Sequence, residues 1–165
     1  MVCPCKPREE EGASHSVEFR AKKNAKGRLI GLTKGGLNSK LHAVTDALGR
    51  PIRLFLTAGN VSDYIGARAL MSSLPKADWL LADRGYDAIW FRNGLKDMGI
   101  TPCIPSRKSR KKAIPHDKTR YKLRHKIENM FGKLKDWRRI AMRYDRCPEL
   151  FLSAIILACI VLFWL

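Results

Sequence analysis

The chain has 165 residues, 45% of them apolar, which suits one domain with a buried core. Its 32 Lys and Arg face 15 Asp and Glu, a formal charge of +17 that points to a polyanionic partner, since each neutralised phosphate releases condensed counterions. Five irregularly spaced cysteines and no secretory leader argue against a disulfide scaffold and for reduced thiols in the cytoplasm.

Residues 1–27 carry Pro4, Pro7 and the acidic run Glu9-Glu10-Glu11, with no sustained period. Cys3-Pro4-Cys5 is half of a metal motif at most, because no other His or Cys pair stands at zinc-ligand spacing. Arg28 to Asn38 reads as a basic, glycine-rich lead-in. Lys40 to Asp46 alternates apolar and polar residues, predicting a strand that ends in the turn Asp46-Ala47-Leu48-Gly49, with Ile52 to Thr57 as its hairpin partner. Ser62 is a candidate N-cap for a helix running to Leu74. Trp79 to Ala82 is a short apolar strand of the kind buried on both faces, and it runs straight into Asp83-Arg84-Gly85-Tyr86-Asp87. A helix from Asp87 to Met98, stopped by Gly99, leads to a strand over Ile100 to Ile104.

A basic loop, Ser106 to Lys118, then precedes a helix predicted from Thr119 to Trp137. Between Arg107 and Arg146 lie 16 of the 32 basic residues, opposed only by Asp117, Glu128, Asp136 and Asp145. Nucleic acid is the first partner this implies and an anionic membrane surface the second. Arg107, Lys108, Arg110, Lys111, Lys112, Arg138 and Arg139 are the candidate phosphate contacts; a solvated charged face is the alternative. The last sixteen residues, Leu150 to Leu165, are apolar but shorter than the roughly 18–20 needed to span a bilayer. A core helix packed on a sheet is therefore expected, and no membrane association.

Strands alternating with helices predict an α/β sheet covered on both faces. Within the Thr119–Trp137 helix, Tyr121, Arg124, Glu128 and Lys135 are spaced at helical intervals and share one stripe. Leu123, Ile127, Met130, Leu134 and Trp137 form a second stripe about 100° away, the expected core face. Glu128 flanked by basic and aromatic groups is one way to present a metal-binding acid to a phosphodiester; an ordinary amphipathic helix with an Arg124–Glu128 pair is the other. Asp83, projected from a strand end, is a candidate second acid or a turn-capping residue. Two such carboxylates suit a hard cation.

These segments are specific enough to place the chain beside a known family. TKGGLNSKLHAVTDALGRPIRLFLTAGNVSD, LLADRGYDA and YKLRHKIENMFGKLKDWRRIAMRYDR together resemble the DDE transposases of bacterial insertion sequences, in the branch with the Tyr-Arg-Glu-Lys signature. The likeness runs from about Arg28 to Leu165. It implies an RNase H-like (retroviral-integrase-type) catalytic domain over residues 28–165. It also implies Mg²⁺ or Mn²⁺ held by two aspartates and a glutamate, and cleavage and joining at element ends. Double-stranded DNA would be the partner, with a second copy or an intact transposase beside it, in the cytoplasm on the nucleoid. By position Asp83 matches the family's second aspartate and Glu128 its glutamate, so both are the expected metal-holding catalytic acids. Tyr121, Arg124 and Lys135 match the other signature positions.

The resemblance also predicts a defect. The family's first aspartate belongs on a central strand well upstream of the TKGG run, where this chain reads Pro4-Cys5-Lys6, and no aspartate precedes Asp46. The expectation is that residues 1–27 are out of family register, that the first central strand is missing or degraded, and that strand transfer is impaired. A non-catalytic DNA-binding remnant that interferes with an intact transposase is the rival reading.

Overall fold

The computed structural model describes residues 28–34 and 36–165. The N-terminal segment and the question of the first central strand fall on residues outside that range. Three antiparallel strands form a meander: β1 (Gly31–Thr33), β2 (Gly36–Thr45) and β3 (Pro51–Ala58). The pairing of β2 with β3 runs from Ser39 opposite Ala58 to Thr45 opposite Pro51, with an irregularity between Val44 and Thr45. The turn between them is built by Asp46, whose Oδ1 accepts the Leu48 and Arg50 amides at 2.9 Å. Gly49 completes it at φ +89°, a conformation that costs other residues. The strand β1 was not foreseen, because its three residues are too few to display a period.

The helix α1 (Asp63–Met71) follows Ser62, which has N-cap geometry without a side-chain bond and so caps by conformation alone. Next come β4 (Trp79–Leu81), a 3₁₀ turn (Arg84–Tyr86), α2 (Ile89–Asp97) and β5 (Thr101–Cys103), with β4 and β5 paired in parallel. Gly99, at φ +74°, ends α2 as expected of a glycine beyond a helix C-terminus.

The predicted helix over Thr119–Trp137 is not one α-helix. It comprises α3 (Lys118–Tyr121), a 3₁₀ turn (Lys122–Arg124) and α4 (His125–Lys135), followed by a separate α5 (Arg138–Ala141). The backbone stays right-handed helical through Lys122, Arg124 and His125, so the break is a tightening of hydrogen bonds and not a change of direction. Ile127, Met130 and Leu134 are buried as the stripe predicted, whereas Leu123 and Trp137, 41% and 40% exposed, are not core residues. They lie just beyond the two ends of α4.

Alternation along the strands divides the core in two. Ala43, Leu81 and Cys103 pack with Ile127, Met130 and Leu134 of α4 and with Phe151, Ile155, Ala158 and Cys159 of α6 (Pro148–Phe163). Val44, Leu80 and Ala82 pack with Ala67 and Leu70 of α1 and Phe91 and Leu95 of α2. The protein is thus a mixed α/β domain with helices on both faces. The apolar C-terminal segment is a helix against the sheet, and Trp164 Nε1 donates to the Pro51 carbonyl at 3.3 Å. Among the described residues no helix is long and apolar enough to cross a membrane.

Candidate functional site

Asp83 is exposed at the end of β4, directly after the buried Leu80-Leu81-Ala82. Its Oδ1 accepts the Arg84 amide at 2.7 Å and its carbonyl accepts the Tyr86 amide at 2.9 Å, so it caps the 3₁₀ turn that follows. Capping leaves the carboxylate at the surface of a rigid strand end.

Behind the turn stands a group that sequence spacing did not single out. His42 on β2 is buried between partners: its Nδ1 lies 3.2 Å from the Tyr86 hydroxyl and its Nε2 2.9 Å from Thr57 Oγ1. Phe55 stacks on the ring at 4.6 Å. Burial lowers the imidazole to about 4, with Asp63 opposing and Lys40 adding to the shift. Burial likewise raises the Tyr86 phenol, helped by the nearby Asp63 and Asp83 carboxylates.

The signature residues fall on three consecutive pieces: Tyr121 on α3, Arg124 on the 3₁₀ turn, Glu128 and Lys135 on α4. Asp117 caps α3 by accepting the Thr119 and Arg120 amides, and Arg120 lies 4.2 Å over the Trp79 ring, which ties α3 to the start of β4. Arg124 donates through Nη2 to Glu128 Oε1, and its guanidinium sits 5.7 Å over the Tyr121 ring. The Tyr121 phenol is pushed up by burial and feels Arg124, Asp83, Arg84 and Glu128 in turn. Glu128 and Lys135 line a cavity of about 490 Å³ floored by Leu41, Leu56, Phe131 and Leu134.

The seven basic candidates separate by what they touch. Arg110 donates from Nε and Nη2 to the two oxygens of Asp87, both at 2.9 Å. Arg107 donates its backbone amide to Asp87 Oδ2 and its guanidinium to the Arg84 and Gly85 carbonyls, while lying 4.2 Å over Tyr64. Arg139 forms a two-bond pair with Asp145. Lys108, Lys111, Lys112 and Arg138 are exposed and pair with no described residue. Asp87 was overlooked because an aspartate at a helix start reads as a cap. It is instead fully buried, also accepting Arg92 Nε at 2.8 Å, and these bonds outweigh the burial that would raise its carboxyl, holding it near about 2.

Asp83 and Glu128 each carry the hard oxygen donors that Mg²⁺ or Mn²⁺ takes. Among the described residues no three His, Cys, Asp or Glu side chains gather as a self-sufficient metal cage.

The family described as Transposase DDE domain matches residues 11–164. The chain belongs to this family. The DDE match begins at Glu11, inside the N-terminal segment, and so covers all described elements. A Brucella ovis protein named as a transposase for insertion sequence element IS6501 is 37% identical over 130 residues, covering 78% of this chain and 99% of the relative. A Burkholderia cepacia protein so named for IS402 is 31% identical, over 76% of this chain and 63% of the relative. The Neisseria meningitidis serogroup B transposase for IS1106 is 32% identical over 59% of this chain, which spans 36% of that relative. The chain thus corresponds to nearly the whole of one DDE relative and to part of the other two. No solved structure matches it.

Proposed function

We propose that this chain is the RNase H-like catalytic domain of an insertion-sequence transposase, acting on double-stranded DNA, with Asp83 and Glu128 as its metal-holding acids. The observation that carries the reading is the family match, which spans both acids, with Asp83 exposed at the end of β4 and Glu128 held by Arg124 on α4. In this reading Asp83 and Glu128 hold Mg²⁺ or Mn²⁺. Such a cation, when bound, activates the attacking oxygen and stabilises the leaving oxygen of a phosphoryl displacement. Arg124 keeps the Glu128 carboxylate oriented, and Tyr121 backs Arg124 with its ring face. Lys135, exposed at the mouth of the same cavity, receives a phosphate.

The reading includes reduced strand transfer. Two cations need several anionic ligands, and the position where the resemblance puts the first aspartate reads Pro4-Cys5-Lys6. The competing function, a DNA-binding remnant that interferes with an intact transposase, differs only in having no residual chemistry. A strand-transfer assay on DNA carrying the element ends, with Mg²⁺ or Mn²⁺, separates them. Weak joining that Asp83→Ala abolishes supports the impaired transposase. DNA binding with no joining at all supports the remnant. Robust joining abolished by Asp83→Ala overturns the impairment and keeps the transposase.

A further inference from the structure

The basic loop and the turn that carries Asp83 are joined through one buried carboxylate. Asp87 stands four residues after Asp83, and its side chain is fully shielded from solvent. Its two oxygens accept four bonds: Oδ1 from Arg92 Nε at 2.8 Å and Arg110 Nη2 at 2.9 Å, Oδ2 from Arg110 Nε and the Arg107 amide at 2.9 Å. Arg92, itself buried, donates its Nη2 to the Ile104 carbonyl at 2.6 Å, which fixes the strand exit from which the loop departs. Arg107 then reaches back, donating to Gly85 O at 2.7 Å and Arg84 O at 3.3 Å. The loop closes on itself where Ser106 Oγ accepts the Ile114 amide at 2.7 Å and donates to the Ile114 carbonyl at 3.2 Å.

We propose that residues 106–114 form a clasp for the phosphates of duplex DNA, locked to the Asp83 turn by Asp87, in which Lys108, Lys111 and Lys112 grip and Arg107 and Arg110 anchor. The inference rests on the DNA reading above and divides the labour within it. Arg110 has its charge spent on Asp87, and Arg107 has its guanidinium spent on two carbonyls and the Tyr64 ring. Among the described residues the three lysines have no partner, they are exposed, and no acid lies within residues 106–114 to oppose them. Compact ammonium groups on flexible stems suit a sequence-independent hold on phosphates. Because Asp87 accepts from the loop and its own amide donates to the Arg84 carbonyl at 3.1 Å, a strand held by the clasp sits at a fixed offset from Asp83. Asp87 is in this sense a positioning residue.

The test is the salt dependence of binding to a duplex without element ends, measured for the full chain and variants. Replacing Lys108, Lys111 and Lys112 together by Ala should lower the log–log salt slope by about 0.9 per lysine. Arg110→Ala should keep the slope, weaken binding several-fold and speed trypsin cleavage after Lys108, Lys111 and Lys112. Asp87→Asn adds one positive charge, so simple electrostatics would tighten binding; the clasp requires it to weaken, with the same faster cleavage. Arg110→Ala serves where Asp87→Asn fails to fold. A slope lost in Arg110→Ala and kept in the triple lysine variant, or tighter binding by folded Asp87→Asn, overturns the clasp alone. No binding by the parent chain at low salt overturns the DNA reading and the clasp with it, and preference for anionic vesicles over DNA does the same.

Discussion

The Tyr86 hydroxyl lies 3.2 Å from Nδ1 of His42, which joins the turn capped by Asp83 to the second strand of the meander. A neutral imidazole offers one donor and one acceptor, and so can serve Tyr86 and Thr57 together; an imidazolium offers two donors and no acceptor. Burial disfavours the charged form, so the native state binds this proton only when the pH falls to about 4, whereas an unfolded histidine binds it near pH 6.5. Stability from His42 is complete above about 6.5 and is lost as the pH falls towards 4. The expected loss is on the order of 3 kcal/mol. Urea unfolding from pH 7 to 4 should show this slope, and His42→Gln should remove most of it while lowering stability at pH 7.

Asp87 obeys the opposite arithmetic. Its folded carboxyl is held near about 2 by Arg110, Arg107 and Arg92 against the pull of burial, below the about 3.9 of an unfolded aspartate. Its contribution is present above about 3.9 and disappears as the pH falls through about 2. Asp87→Ala strands the buried Arg92, which should cost about 3–5 kcal/mol at pH 7. Denaturant midpoints measured at pH 7 and pH 3 check this; a loss under 1 kcal/mol at pH 7 contradicts the buried network.

Gly66 of α1 has no room for a side chain, since a Cβ there would stand 2.4 Å from Cε1 of His42. The ring cannot retreat, being stacked on Phe55 and bonded at both nitrogens. Gly66→Ala should therefore destabilise by about 1–3 kcal/mol despite the better helix propensity of Ala. A raised melting temperature would show that α1 can slide off the sheet.

What could be read from the sequence followed from period and punctuation. The hairpin of β2 and β3 was legible because alternation flanks Asp46 and Gly49, and β4 because four apolar residues, Trp79 to Ala82, run into Asp83. The Ile127–Met130–Leu134 stripe was legible for the same reason. The tightening at Lys122–Arg124 was not, since its dihedrals remain helical and nothing in composition separates a 3₁₀ turn from an α-turn there. The roles of Arg107 and Arg110 were hidden because their partners lie twenty or more residues upstream, and a basic run looks the same whether its charges face water or a buried aspartate. His42 was hidden likewise: one histidine in an alternating strand gives no sign that Tyr86 will close over it.

The terminal helix α6 offers the plainest contrast between similar side chains. Ile155 is fully buried in the cluster with Leu81, Met130 and Leu134, whereas Leu157 two positions on is 62% exposed. Leu150, Ile156, Ile160 and Val161 are also substantially exposed, so hydrophobicity alone cannot reveal which face meets the sheet. Helical geometry decides it: Phe151, Ile155, Ala158 and Cys159 recur at intervals of three and four, and the sheet accepts that face. Ile155→Ala should open a cavity costing about 2–5 kcal/mol, while Leu157→Ala should stay within about 0.5 kcal/mol. If α6 instead lay in lipid, the two truncations would have similar small effects and the protein would remain in carbonate-washed membranes. Unequal effects in denaturant titrations, with the protein absent from those membranes, establish that the sheet is what this helix covers.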